Sequence, residues 1–347
     1  MIKRNIHIVI ARSSIAELSS MSLESCNAIF AVLSENYERV SVFTINTKQD
    51  IDSLIILKPD LVFMGLKFVP SNPVLGRDDL DKIWLAQYLD KAEIAYTGSN
   101  TFAHMLELEK PLAKQRIIDA GLKTAKFKVI SLGEAANLND SDIEYPVFIK
   151  PTNRGGGQGI DSYSVASNLT QLQAKVAAIA TDYKADSIIE EYLDGREFSV
   201  GILRQLNSDA FDVMPIELVA NQDENGSRIL SSQVKCENSE VVTMVNDLIL
   251  RTRINKLALG VFNALGASDY GRIDIRLDSS GTPNFLEANL IPSLISGYGS
   301  FPKASLMNID LDYESMIIRI VELALSRDTE TVDFDELASE IIDTVLV

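Results

Sequence analysis

Histidine, cysteine and tryptophan are scarce: two, two and one in 347 residues. His7 and His104 lie far apart, as do Cys26 and Cys236, so no spacing typical of a zinc or dithiol redox centre is present. The thiols read as structural and point to a reducing compartment, with the cytoplasm as the expected location. Basic residues are outnumbered as well. The formal net charge of −17 argues against a nucleic-acid or anionic-membrane partner, because neutralising phosphates requires clustered Lys and Arg. Any phosphate-bearing ligand therefore needs a local basic pocket. Long apolar runs are missing too. None approaches the ~20 residues of a membrane span, and the start Met1-Ile2-Lys3-Arg4-Asn5 leads into a short strand rather than a secretory leader.

What is present is a 46% hydrophobic content, in a length suited to two or three domains. Ile6 to Ile10 is a short apolar run. Leu23, Cys26, Ile29, Phe30 and Leu33 then recur at helical spacing before Val40 to Ile45 reads as strand, the beginning of a βαβ unit. Leu54 to Met64 is apolar apart from Lys58-Pro59-Asp60, and Leu80 to Leu89 reads as a helix carrying Trp84. No Gly-x-Gly-x-x-Gly follows the first strand, which argues against dinucleotide binding there. A helix is expected from Met105 to Ala120, ended by Gly121, with Pro111 at a first-turn position and Lys110 at its mouth. Strands at 125–130, 147–150, 160–165 and 187–191 surround a helix at 169–181, as in a small α+β layer. Two strands within 198–219 precede a polar stretch, 221–240, too long for a simple turn. Helices are expected at 241–265 and 313–325. In the tail, Asp333 and Glu336 form a capping-box pattern ahead of Phe334, Leu337, Ile341 and Val345 on one helical face.

Two stretches carry chemistry. In Gly271-Arg272-Ile273-Asp274-Ile275-Arg276-Leu277, alternation puts Arg272, Asp274 and Arg276 on one face and the aliphatic residues on the other. A turn at 278–281 would bring the returning strand's Glu287 close to Asp274, with Asn289 alongside. Adjacent carboxylates repel unless a cation separates them, and Mg²⁺ suits such hard oxygen donors. Taken alone the pattern is also that of a solvent-facing hairpin. The second stretch, Lys150-Pro151-Thr152-Asn153-Arg154-Gly155-Gly156-Gly157-Gln158-Gly159, sits between two expected strands. Its glycines let backbone amides approach an anion, and Lys150 and Arg154 supply positive charge. A flexible hairpin tip would explain the glycines but not the lysine at the strand end.

Taken in order, the pieces resemble the ATP-grasp ligases, and most closely the D-alanine-D-alanine ligase family. The matching stretches are Ala95-Tyr96-Thr97-Gly98-Ser99, Glu109-Lys110, Phe148 to Pro151, Glu190 to Glu197, Gly271 to Asp274, Leu286 to Asn289 with Pro292, and Phe301-Pro302-Lys303. The resemblance spans about Ile6 to Leu325. It implies a mixed α/β and α+β fold of ATP-grasp type: an N-terminal open parallel, Rossmann-like sheet domain (1–98), central and C-terminal ATP-grasp subdomains (99–190 and 191–330), and a terminal amphipathic helix (331–347). Lys110 and Lys150, under Gly155, Gly156, Gly157 and Gly159, would hold the ATP phosphates. Glu190, Glu191, Tyr192 and Leu193 would read the adenine, with Glu197 near the ribose. Asp274, Glu287 and Asn289 would bind two Mg²⁺ ions, Mn²⁺ being an admissible substitute. Arg272, with the backbone amide near Ser293, would stabilise the transferring phosphoryl group and the oxyanion.

The expected activity is joining a small-molecule carboxylate to an amine through an acyl phosphate, with a homodimer compatible with the resemblance. The glycine loop and 221–240 are expected to act as lids. The departures fall in the substrate half. Serines of the family's loop are Gly156-Gly157 here. The family's Glu-Val-Ser is Ser20-Met21-Ser22, its His-Gly…Gly-Glu-Asp-Gly stretch is Lys67-Phe68 and Gly76-Arg77-Asp78-Asp79, its mobile-loop lysine survives at most as Lys235, and the glycine after Pro292 is Ser293. Lys67 would repel an ammonium if it lines the site, or faces solvent at a strand end. The expected substrate is accordingly not a pair of D-alanines. A true D-alanine-D-alanine ligase of cell-wall precursor synthesis, and a catalytically silent ATP-binding protein, are the alternatives.

Overall fold

The computed structural model describes residues 3–137, 142–220 and 240–327. Nearly all of the polar stretch 221–240, with Lys235 and Cys236, and the expected terminal helix at 331–347 lie outside the described residues.

Strands β1 (Arg4–Arg12), β2 (Tyr37–Thr44), β3 (Leu61–Met64) and β6 (Ala95–Tyr96) form a parallel sheet in the order β2-β1-β3-β6. Parallel sheets bury both faces, and the residues of β1 show how. Ile8 and Ile10 pack with Ile29 and Leu33 of helix α1 (Leu23–Asn36), whereas Val9 and Ala11 pack with Ile51 and Leu54 of α2 (Lys48–Ile56). All four β1 residues are fully buried. Strands β4 (Phe68–Pro70) and β5 (Lys82–Trp84) pair separately. The helix expected over Leu80 to Leu89 is therefore only α3 (Leu85–Lys91). The Asp79 carboxylate accepts the Asn72 and Asp81 amides, which fixes a turn, and Trp84 then lies on Phe68 with ring centroids 5.4 Å apart.

The helix expected from Met105 to Ala120 is two helices, α4 (Thr101–Leu108) and α5 (Lys110–Asp119). The Pro111 ring would collide with the carbonyl one turn earlier in a continuous helix, so the chain breaks at Glu109 and restarts with the proline in the first turn. An antiparallel sheet, β7 (Phe127–Ile130), β10 (Ser187–Glu191), β8 (Val147–Pro151) and β9 (Val165–Ala166) in that spatial order, is covered by α6 (Leu169–Tyr183). The strand expected at 160–165 shrinks to β9, because Asp161 caps a 3-10 turn over Ser162–Ser164.

The third sheet runs β13-β12-β11-β14-β15, where β11 is Glu197–Arg204, β12 Phe211–Val219, β13 Val241–Met244, β14 Tyr270–Leu277 and β15 Pro283–Asn289. The helix expected from Val241 begins only at Leu248. β-branched Val241, Val242 and Thr243 pair with β12, and Asp247 caps α7 (Leu248–Ala264) by accepting the Ile249 and Leu250 amides. Helix α7 covers one face with Ile254, Ala258 and Val261 against Val200, Ile273 and Ile275, and Ala113 and Ile117 of α5 join this core. Helix α8 (Ser300–Ile309) covers the other face, and α9 (Tyr313–Leu325) places Ile317 and Ile320 in the core shared with Ile8 and Ile10.

Candidate active site

The charged hairpin is not solvent-facing. β14 and β15 pair with Asp274 opposite Glu287 and Arg272 opposite Asn289, and a bulge at Leu286 follows, since Phe285 faces Ile275. The bulge lets Phe285 enter the core while Leu286 and Glu287 both face a cavity of about 520 Å³. Ile273, Ile275 and Leu277 pack beneath the hairpin, so the alternation in the sequence separates core from site.

Within the cavity Arg272 clamps Asp274 in a bidentate pair, Nε to Oδ1 at 2.9 Å and Nη2 to Oδ2 at 2.8 Å. Ser199 Oγ donates to the same Oδ1 at 3.0 Å, and Asn289 Nδ2 lies 3.4 Å from Oδ2. Burial opposes the Arg272 charge, but Asp274 and Glu287 hold its pKa above the ordinary value. Ser293 lines the cavity with Tyr298 and Ser300, and Arg272 Nη1 donates to Ser300 Oγ at 3.3 Å.

Across from the hairpin, Lys150 is buried at the end of β8, and its Nζ lies 3.0 Å from Glu190 Oε2. The other oxygen of Glu190 takes Lys114 Nζ at 2.9 Å. Both Glu190 oxygens are thus occupied by lysines, while Glu191, Tyr192 and Leu193 continue along the cavity wall. Glu197 also lines it and pairs with Arg276 at 3.2 Å, whose guanidinium lies 5.4 Å from the Tyr192 ring centre.

The glycine loop divides. Gly155 and Gly156 line the cavity; Gly157 and Gly159 do not. At Gly159, with φ of +76°, a Cβ would sit 2.6 Å from Pro151 Cγ, so this glycine serves close packing of the loop on its own strand. Arg154, expected to add charge to the pocket, instead donates to the Tyr183 carbonyl and pairs with Asp78 at 2.7 Å. Lys110 is outside the cavity lining and donates to the Arg154 carbonyl. Burial, with opposition from Glu287 and help from Lys150 and Arg77, pushes its pKa down to about 8.

The family model described as D-ala D-ala ligase C-terminus matches residues 117–322, more than half of the chain. The chain belongs to the D-alanine-D-alanine ligase family. It is similar to a D-alanine–D-alanine ligase of Chlorobium chlorochromatii, 31% identical over 252 residues, covering 69% of this chain and 66% of that protein. It is also similar to the uncharacterized protein y4sG of Sinorhizobium fredii, 29% identical over 243 residues and 69% of each chain. The fold is that of the crystal structure of a Bacillus anthracis D-alanine–D-alanine ligase complexed with ATP, at a TM-score of 0.71, 20% identity, and 92% and 97% coverage of the two chains. The protein is therefore an ATP-grasp ligase, and no helix among its described residues is long and apolar enough to cross a membrane.

Against this ligase frame, several residues escaped sequence reasoning. Lys114 is completely buried and positions Glu190; its only signal was the i, i+4 spacing from Lys110. Lys67 does line the cavity rather than facing solvent, but its Nζ lies 2.7 Å from Glu107 Oε1. Glu107 also accepts the Leu290 amide at 2.9 Å and bonds His104 Nδ1 at 3.1 Å, so His104 is not isolated. Burial would raise the Glu107 pKa, yet Lys67 and His104 hold it down to about 2. The charge of Lys67 is consequently compensated within the fold, which removes the reason to expect it to repel an ammonium.

Proposed function

We propose that this ligase couples a small-molecule carboxylate to an amine through an acyl phosphate, and that its substrates are not two D-alanines. The observation that carries the first half is the convergence of Lys150, Arg272, Asp274, Glu287 and Asn289 on one cavity. The substrate carboxylate attacks the terminal phosphorus of ATP, releasing ADP. An amine then attacks the acyl carbon, phosphate leaves, and the amine loses a proton. Arg272, paired with Asp274 in the cavity, would follow the negative charge through both steps, first on the phosphoryl oxygens and then on the tetrahedral oxyanion, exchanging Asp274 for the substrate as it does so. Lys150 and Lys110 would neutralise phosphates, with Glu190 and Lys114 fixing the position of Lys150. Glu191 to Leu193 would bound the adenine, Glu197 the ribose, and Gly155 and Gly156 would cover the phosphates and keep water from the acyl phosphate.

No cluster of three or more acidic, histidine or cysteine side chains stands ready for a metal among the described residues. The donor set here is instead two facing carboxylates and an amide, which suits Mg²⁺ bound jointly by protein, phosphate and water. Asp274, Glu287 and Asn289 would hold it, and when bound it would offset the negative charge gathered between the phosphates. We propose two such ions and the three-part division at residues 98 and 190 on the resemblance alone.

The substrate half rests on the replacements at Ser20 and Gly76 to Asp79, of which Ser20 and Arg77 line the cavity; Lys67, paired with Glu107, no longer counts toward it. A true D-alanine-D-alanine ligase is the second reading, favoured by relatives that carry that name. An ATP-binding protein without turnover would leave the Arg272–Asp274 clamp without a use. ADP release with a panel of D- and L-amino acids, singly and in pairs, tests all three. D-alanyl-D-alanine formation at a rate no other pair matches would establish the second reading, and no ADP release with any pair would remove the ligase proposal.

A further inference from the structure

At the end of the cavity built by the parallel-sheet layer, the lining includes Glu17, Ser20, Lys67 and Arg77. Lys67 is matched by Glu107. Arg77 is different. It lies in a 3-10 turn, Gly76–Asp78, half-buried, and its Nε is buried with no hydrogen-bond partner. The carboxylates that act on its charge are Asp78, Glu17 and Glu107, and none is within ion-pairing distance of it. Asp78 is spent on Arg154, and Glu107 on Lys67 and the Leu290 amide, while Glu17 is exposed at the rim. The other cavity cations, Lys150, Arg272 and Arg276, each hold a carboxylate within 3.2 Å.

A guanidinium in that position is already desolvated and lacks its counter-ion. Burial and the adjacent Arg154 push its pKa below the ordinary value, the penalty expected of an uncompensated cation. A carboxylate or phosphate monoester presents two oxygens that match its fork. The Arg77 Nη2 lies 3.8 Å from where a Cβ would stand on Gly155, so the group faces the glycine loop across the cleft. The terminal phosphate of ATP is thus one source of an oxyanion there. Yet Lys150 and Arg272 would serve the phosphate side, and with Ser20 uncharged and Lys67 compensated, Arg77 is the one cation without a close carboxylate among the described residues that line the cavity.

We propose that Arg77 is a specificity-determining residue that binds a second acidic group, carboxylate or phosphate monoester, carried by the amino-acid substrate. This rests on the ligase reading for its reaction but not for its binding step, so binding is what is measured. Calorimetric titrations with D-alanine, D-aspartate, D-glutamate, O-phospho-D-serine and their L-forms, with Mg²⁺ and a non-hydrolysable ATP analogue present, compare wild type with Arg77→Gln and Arg77→Lys. At least one acidic compound is expected to bind wild type tenfold or more tighter than alanine of the same hand. Arg77→Gln should erase that advantage, Arg77→Lys should restore part of it, and affinity for the ATP analogue should stay within twofold. Overturning results are an absence of any acidic preference in wild type, an equal loss for all amino acids in Arg77→Gln, or a loss confined to the ATP analogue, which would assign Arg77 to the phosphate. ADP release measured alongside reads the ligase proposal separately. Acidic binding without turnover would sustain the role of Arg77 and sink the reaction, and rapid turnover with D-alanine alone would do the reverse.

Discussion

Replacing Glu190 by Gln removes one negative charge from between two buried ammonium groups. Lys114 and Lys150 lie 2.9 and 3.0 Å from its oxygens, and the side chains of Glu190, Lys114 and Lys150 are 2%, 0% and 6% exposed, so water cannot take over. Leaving a buried charge without its partner costs about 3–5 kcal/mol. Lys114 keeps Thr124 Oγ1 at 2.7 Å and Lys150 still feels Glu287 and Glu197, which places the expectation near the lower figure, about 3 kcal/mol. With an unfolding entropy of about 2.1 cal/mol/K per residue, a chain of 347 residues shifts by about 1.4 °C per kcal/mol, so the melting temperature should fall by about 4 °C. Phosphates would supply the missing charge, so Mg²⁺ with a non-hydrolysable ATP analogue should raise the melting temperature of Glu190→Gln more than that of wild type. Adding Lys114→Met should recover part of the loss.

The sign of the pH dependence follows from the same contacts. Burial alone would raise the Glu190 pKa, but Lys114 and Lys150 outweigh it and hold the carboxyl below its ordinary range. Its contribution is complete above the unfolded carboxyl pKa of about 4.3 and is lost as pH falls through the lower folded value. The acid limb of stability should therefore be shallower in Glu190→Gln. Scanning calorimetry and urea titration read both effects. A variant that melts within about 1 °C of wild type at neutral pH and gains nothing extra from the nucleotide would refute the clamp.

The titration of Lys110 gives a kinetic test. With its pKa near 8 in the free protein, kcat/KM for ATP should fall as pH rises through about 8, and Lys110→Arg should move that limb upward; a flat profile to pH 10 would detach Lys110 from the phosphates. Glu287→Gln and Asp274→Asn should each lower kcat by at least a hundredfold, with excess Mg²⁺ recovering part of it, and full activity in either would remove the metal assignment. Asp274→Ala is the poorer variant, because it strands Arg272 and should also destabilise the fold by about 2–4 kcal/mol. Gly159→Ala should cost about 1–3 kcal/mol, from both its positive φ and the 2.6 Å approach to Pro151, whereas Gly155→Ala, whose new methyl meets only the Arg77 tip at 3.8 Å, should melt close to wild type.

Local alternation and spacing were enough to read the hairpin. Ile273, Ile275 and Leu277 could face only one way and Arg272 and Asp274 the other, and the turn length brings Glu287 opposite Asp274, because strand period and turn chemistry are properties of neighbouring residues. The bulge at Leu286 was not legible, since alternation cannot show where one strand carries an extra residue. The same limit explains the misread helices. Periodicity ran Met105 to Ala120 together although Pro111 forbids a continuous helix, and Val241 to Met244 took strand form because β12 offered an open edge.

The electrostatic design was decided only by the tertiary structure. Glu190 reads in sequence as an adenine-side residue, and folding encloses it between Lys114 and Lys150, 76 and 40 positions away. Lys67 reads as an uncompensated cation, and folding pairs it with Glu107 on a helix 40 positions later, leaving Arg77, among the described residues that line the cavity, as the cation without a close carboxylate. Charge compensation acts through a few ångströms of space at low dielectric, and sequence separation says nothing about those distances. Which elements form, and which of their faces are charged, was written locally; which charges meet was set by how the sheets and their loops close on the cavity.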